Sequence, residues 1–290
     1  VHGHTSWIRS VPFLSDGKHL QVISGSDDTT VRAWSVQDGR SVGATMSERG
    51  RVFAVATSND GKWIATGGDE KKITIWSATT HEKVVELEGH LDRIWSLAFS
   101  PDSARVVSGS IDRTVIVWNV TTGERLVGPL KGHTNDVRYV AFSPNGEEIA
   151  SGGGREIRIW NSHVNKQVDN KLVIPIQSYV VSLAWTIDGH KLLAGCGDGA
   201  LKCFDPSTGS SLAEFAGHTS VVRSIAVSPH GKFIASASND KTVRFWDTTT
   251  SAQIGPTLQH DQWVLCVTIS ADGDHLASAG CDEKIHIWSL

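Results

Sequence analysis

The sequence predicts an all-β protein: a seven-bladed β-propeller of four-stranded antiparallel blades, with the last blade lacking its outer strand in this chain. Three observations carry that prediction. The 290 residues include 11 tryptophans and 28 glycines against one methionine, a composition suited to many short strands with a repeated aromatic anchor. Trp34, Trp76, Trp118, Trp160, Phe204, Trp246 and Trp288 follow one another at 42, 42, 42, 44, 42 and 42 residues, and a fixed period of this size marks a repeat architecture. Each anchor closes a β-branched run such as TVIVW or TVRFW, preceded by a small-residue stretch such as SGSDD or SASND.

Each unit reads as an inner strand, a hairpin, a second strand, a turn, the tryptophan strand and an outer strand, placed in the third unit near 92–100, 104–110, 114–120 and 124–130. Hairpin signals stand at Asp16-Gly17, Asp60-Gly61, Asn145-Gly146, Asp188-Gly189 and Asp272-Gly273. Seven such units in one chain of 290 residues give a single propeller with blades near 1–45, 46–88, 89–131, 132–173, 174–216, 217–258 and 259–290. The last unit stops after IHIWSL, and Val1-His2-Gly3-His4 aligns with Leu87-Glu88-Gly89-His90. Val1 and His2 are therefore expected to be the tail of an outer strand for the seventh blade, within a longer parent chain.

Composition excludes several classes. Net charge is −4, so there is no global pull toward nucleic acid or anionic membrane. No apolar run approaches the ~20 residues of a membrane helix, and the N-terminus does not read as a signal peptide. Cys196, Cys203, Cys266 and Cys281 have no metal-ligand spacing and are expected to be reduced thiols in a cytoplasmic protein, with the nucleus as the alternative. His19, His163 and His190 fall singly on hairpins or loops, where a solvated ring is expected. No cofactor or metal is expected.

Units opening at Gly3-His4, Gly89-His90, Gly132-His133 and Gly217-His218, with Gln259-His260 as a variant, and ending in Trp-Asp or Trp-Asn, resemble the WD-repeat family over the whole chain. The segment HTSVVRSIAVSPHGKFIASASNDKTVRFWD and the IGPTL and VGPLKGH connectors are most similar to the WD repeats of fungal NACHT-type signalling proteins. His90, Ser108, Asp112 and Trp118 contain the residue types of a serine hydrolase, but the set recurs as His4, Ser24, Asp28, Trp34, as His218, Ser236, Asp240, Trp246, and as His260, Ser278, Asp282, Trp288. A catalytic triad is needed once, so four copies point to a structural role and no enzyme activity is expected. The resemblance implies a buried chain of hydrogen bonds, indole to hydroxyl to imidazole to carboxylate, in which each polar atom has a partner. The second unit lacks the histidine and carries Glu70 at the acid position, the fourth has Gly154 there, and the fifth has Ala194 and Phe204. Those three blades are expected to be softer.

Seven internal copies permit a column-by-column comparison. Counting from the unit's histidine, position +4 (Ile8, Val52, Ile94, Val137, Val180, Val222, Val264) and position +7 (Val11, Val55, Leu97, Val140, Leu183, Ile225, Val267) are uniformly apolar and read as core. Strict alternation puts +4 and +7 on opposite sides, so a bulge is expected near the strand start. That frees position +3 (Trp7, Arg51, Arg93, Asp136, Tyr179, Val221, Trp263) and position +5 (Arg9, Phe53, Trp95, Arg138, Val181, Arg223, Leu265). The resemblance implies that these columns, with the residue before each turn aspartate, form the top face around a central channel. Trp7, Arg9, Arg51, Phe53, Arg93, Trp95, Arg138, Tyr179, Arg223 and Trp263 are thus the candidate partner-binding residues, of the types enriched in interface hot spots. The expected function is a non-catalytic interaction scaffold that binds a protein segment whose acidic or phosphorylated side chains pair with the arginines. A glycan-binding propeller using the aromatics as platforms is the alternative. A nucleic-acid-binding propeller using the same arginines is disfavoured by the net charge, and no membrane partner is expected.

Overall fold

The computed structural model describes residues 1–15, 17–163 and 170–290; Asp16, half of the first expected hairpin signal, lies outside them. The described residues contain 28 strands in seven antiparallel sheets that follow one another in chain order. Blade three runs Ile94–Phe99, Arg105–Ser110, Val115–Asn119 and Arg125–Leu130, close to its sequence-predicted limits. Blade seven has three strands, Val264–Ile269, His275–Gly280 and Ile285–Ser289. Residues at the chain start extend that sheet: the Ile285 N–H donates to the Val1 carbonyl at 3.1 Å and His2 bridges Lys284.

Apolar alternation on two faces makes each sheet adhesive to both neighbours, and the core divides accordingly into one buried cluster per blade interface. Ile94, Leu97, Val106, Ile116 and Trp118 of blade three pack on Ala54, Ala65, Ile73 and Ile75 of blade two. The same arrangement closes the ring, where Ile8, Val11, Val22 and Trp34 of blade one meet Cys266, Ala277, Ala279 and Ile285 of blade seven. Every +4 and +7 residue is buried, at 8% exposure or less.

The bulge occurs in all seven blades. Ile94 pairs with Ser110, but the next pair is Ser96 with Gly109, so Trp95 is the extra residue. Equivalent register shifts fall between Ile8 and Ser10, Val52 and Ala54, Val137 and Tyr139, Val180 and Ser182, Val222 and Ser224, and Val264 and Cys266. An extra residue excluded from the ladder turns its side chain off the sheet face, which reconciles two apolar columns three residues apart.

Blade one departs from its sisters. Its inner strand is split into Ile8–Ser10 and Phe13–Ser15, both paired with Leu20–Ser26. Pro12 lies at the break; it has no N–H for the ladder, although its carbonyl still accepts from Ile23 N at 2.9 Å. The hairpin glycines Gly17, Gly61, Gly146, Gly189 and Gly273 all have φ between 72° and 82°, the left-handed conformation the tight turn requires. No helix among the described residues is long and apolar enough to cross a membrane.

Candidate functional site: the top face and its channel

The repeated His–Ser–Asp–Trp sets are built into the sheets as hydrogen-bonded chains. In blade three the Trp118 indole N–H donates to Ser108 Oγ at 2.9 Å, Ser108 Oγ meets His90 Nε2 at 2.8 Å, and His90 Nδ1 meets Asp112 Oδ2 at 2.9 Å. Blades one and six repeat this with all three distances between 2.7 and 2.8 Å. The hydroxyls of Thr30, Thr114 and Thr242 donate to the other oxygen of each carboxylate. Burial opposes ionisation of Asp112 and Asp240, but hydrogen bonds from His90 and Thr114, and from His218 and Thr242, outweigh it and hold both carboxyls well below the usual carboxylate range. These groups have no exposed nucleophile, since Ser24, Ser108 and Ser236 are 0% exposed.

The other blades correct the sequence reading. In blade four the carboxylate comes from Glu156, two residues beyond Gly154; it meets His133 Nδ1 at 3.1 Å, and Ser151 Oγ links His133 and Trp160 at 2.7 Å each. Blade two replaces histidine with Glu48, which accepts from the Thr66 hydroxyl at 2.7 Å while Thr66 accepts from the Trp76 indole at 2.9 Å. Neither blade leaves the chain open. Blade five removes it, with Ile176, Ala194 and Phe204 buried together in an apolar cluster. In blade seven Ser278 links His260 at 3.0 Å and Trp288 at 2.9 Å, but His260 Nδ1 lies 3.8 Å from Asp282, beyond hydrogen-bond reach. Asp282 instead accepts from His286 Nε2 at 2.8 Å.

On the top face, the structure separates the ten candidate residues into two concentric rings. The entire +5 column, Arg9, Phe53, Trp95, Arg138, Val181, Arg223 and Leu265, lines a central cavity of about 230 Å³. This inner ring exists because each is the bulged residue. Phe53, expected on the rim, is only 6% exposed; it stacks on Trp95 with ring centroids 4.7 Å apart and forms the channel wall. The +3 column forms the outer ring, where Trp7, Tyr179 and Trp263 are 40%, 53% and 43% exposed.

The arginines are not free charges. Arg9 binds Asp27 through two hydrogen bonds of 2.9 and 2.6 Å. Asp69 accepts from both Arg51 at 2.8 Å and Arg93 at 2.9 Å, and Arg138 pairs with Asp136 at 2.9 Å. Arg223 instead donates to the neutral Asn239 at 2.9 Å. Burial, then the nearby Arg138 and Arg9, depress its pKa. Arg9 also lies over Trp7 (4.9 Å), Arg51 over Phe53 (5.2 Å) and Arg138 over Trp95 (5.5 Å). One donor is left over: Trp95 Nε1 is buried and has no hydrogen-bond partner among the described residues. Sequence reasoning missed Tyr139, which joins the cavity lining; at its column the other blades carry Ser10, Ala54, Ser96, Ser182, Ser224 and Cys266, and that size difference was the available signal.

The WD domain, G-beta repeat family matches residues 1–35, 41–77, 81–119, 124–161, 172–205, 209–247 and 253–289. Among curated proteins, the chain is 31% identical over 105 residues to actin-interacting protein 1-2 of Arabidopsis thaliana, covering 35% of this chain and 17% of that protein. It is 31% identical over 110 residues to the chromatin assembly factor 1 subunit FAS2 homolog of Oryza sativa subsp. japonica, covering 36% and 22%. Autophagy-related protein 16 of Arabidopsis thaliana is 32% identical over 107 residues, covering 36% and 20%. The matched stretches thus span about a fifth of these relatives' lengths, and the relatives' names point to different processes. The seven matched repeats equal the seven observed blades in number, each repeat after the first opening on the outer strand of the preceding blade, and the chain belongs to the WD domain, G-beta repeat family.

Proposed function

We propose that this propeller is a non-catalytic interaction module that captures a protein segment across its top face, with one side chain of the segment entering the channel mouth. The observation that carries this reading is the convergence of the seven bulged side chains, one from each blade, around a single central cavity of about 230 Å³. Trp7, Tyr179 and Trp263 supply exposed aromatic area around the opening. The two rings and their turn residues hold five arginines against Asp27, Asp69 and Asp136, leaving two positive charges in excess. That surplus favours an acidic or phosphorylated segment, with Arg223 as the cation lacking a carboxylate partner among the described residues. The wording of the repeats supports a place behind a NACHT-type module in a longer cytoplasmic signalling protein.

The test is a panel of acidic, phosphorylated and neutral peptides, with a glycan array and a salt series on single-stranded nucleic acid run in parallel. Arg223→Gln removes the cation that Asn239 alone holds; Trp7→Ala with Trp263→Ala removes two of the three exposed outer aromatics. Both variants are expected to weaken peptide capture about tenfold or more and to leave the melting temperature within about 1 °C. Peptide binding indifferent to both variants refutes the reading. Capture of glycans alone, or binding to nucleic acid that falls steeply with salt, replaces it.

A further inference from the structure

Blade seven carries a cluster the interaction surface does not use. We infer that His260, Asp282 and His286 form a binding site for a divalent transition-metal ion of the zinc class. Their donor atoms all lie within 4.8 Å of one another. His286 Nε2 stands 2.8 Å and His260 Nδ1 3.8 Å from Asp282 Oδ2. Tetrahedral coordination at about 2.0–2.1 Å per bond sets donors roughly 3.3–3.5 Å apart, a spacing that falls between these two distances.

Two substitutions within the repeat pattern create the cluster. The column that holds Thr30, Thr114 and Thr242 holds Lys284 here. The hydroxyl that occupies a carboxylate oxygen in blades one, three and six is thus replaced, and Lys284 Nζ lies 4.0 Å from Asp261. The column that holds Arg32, Arg158 and Arg244 holds His286, so a fixed cation gives way to a lone-pair donor.

An independent observation points the same way. The His260 side chain is 1% exposed, yet its Nδ1 has lost the hydrogen bond that this atom makes in blades one, three and six. Its other nitrogen is held by Ser278, itself fixed by the Trp288 indole. That is the outer support a metal-bound imidazole uses: one ring nitrogen anchored, the other presenting its lone pair. The His286 ring stacks on Trp288 with an interplanar angle of 15°, which sets its direction. His286 remains 30% exposed, giving the ion a path in and water the fourth position. Two imidazoles and one carboxylate suit zinc, cobalt, nickel or copper; calcium and magnesium prefer all-oxygen shells. A bound ion would tie the segment before Val264–Ile269 to the last hairpin, stapling the three-stranded blade.

Chain stripped by chelation is titrated with cobalt and with zinc. One equivalent is expected to bind, cobalt giving the visible absorption of a four-coordinate ion and zinc raising the melting temperature by about 3–5 °C at saturation. His286→Arg installs the residue that three other blades carry at this column and so keeps the fold; it is expected to weaken binding about 100-fold or more. His260→Gln serves as the second variant, and His163→Ala as a control expected to bind like the parent. Absence of stoichiometric binding, or binding that survives both His286→Arg and His260→Gln, overturns the inference.

Discussion

Ser108→Ala tests the reading of the hydrogen-bonded chains most directly. The hydroxyl is 0% exposed and is the shared partner of the Trp118 indole and the His90 imidazole, at 2.9 and 2.8 Å. Alanine therefore leaves two buried polar groups unsatisfied at about 1–3 kcal/mol each, or about 2–6 kcal/mol together. A chain of this length unfolds with roughly 0.6 kcal/mol/K of entropy, so the expected loss is about 3–10 °C in melting temperature. Blade five supplies the comparison, because Ile176, Ala194 and Phe204 fill the same three columns without polar atoms. The triple variant His90→Ile, Ser108→Ala, Trp118→Phe removes the orphaned donors together and is expected to cost less than the sum of its three single changes. Differential scanning calorimetry with parallel urea unfolding reads both quantities. A Ser108→Ala loss below about 1 °C, or strict additivity in the triple variant, would refute the argument that mutual satisfaction holds these groups in place.

Acid is expected to weaken the fold in two stages. Burial holds the His4 and His133 pKa values below the ordinary 6.5, so the unfolded chain binds more protons than the folded one as pH falls below about 6.5, and stability declines. Asp28, Asp112 and Asp240 are held below their ordinary 3.8; their contribution is complete above about pH 4 and is lost below it, steepening the decline. A melting temperature level from pH 7 to 3 contradicts this, as does a pH 5–6.5 slope unchanged by His133→Gln. Burial pushes the Cys196 thiol up to about 12 and raises Cys203, Cys266 and Cys281 as well. Only Cys281 is more than slightly exposed, so mass spectrometry after alkylation of the native chain should find Cys281 labelled first and the other three only on unfolding. Lys71 turns its hairpin at φ 62°, and Lys71→Gly is expected to raise the melting temperature slightly, because relief of about 1–2 kcal/mol of left-handed strain exceeds the added entropy of the unfolded chain.

The architecture was legible because it is periodic. One tryptophan column and two apolar columns, each sampled seven times, averaged out the local noise that blurs a single strand, and the misfit between +4 and +7 disclosed a bulge. What the columns concealed were substitutions that compensate across them. Glu156 repairs blade four from the threonine column, and Glu48 replaces a histidine with a different acceptor. Asp69 serves Arg51 and Arg93 from neighbouring blades, a pairing that no count within one unit could reveal. Phe53 and Arg9 share a column but not an environment, since the first closes the wall by stacking and the second is held by its own aspartate.

The bulge has a consequence for how such a protein can change. Its extra residue sits outside the backbone ladder in every blade, so seven side chains are displayed at one opening while the hydrogen bonding beneath them is indifferent to their identity. The opening can therefore be rewritten one blade at a time, or by exchanging whole units between positions. Each exchange alters what the mouth accepts and leaves the interlocking sheets as they were: the frame and the vocabulary are inherited separately.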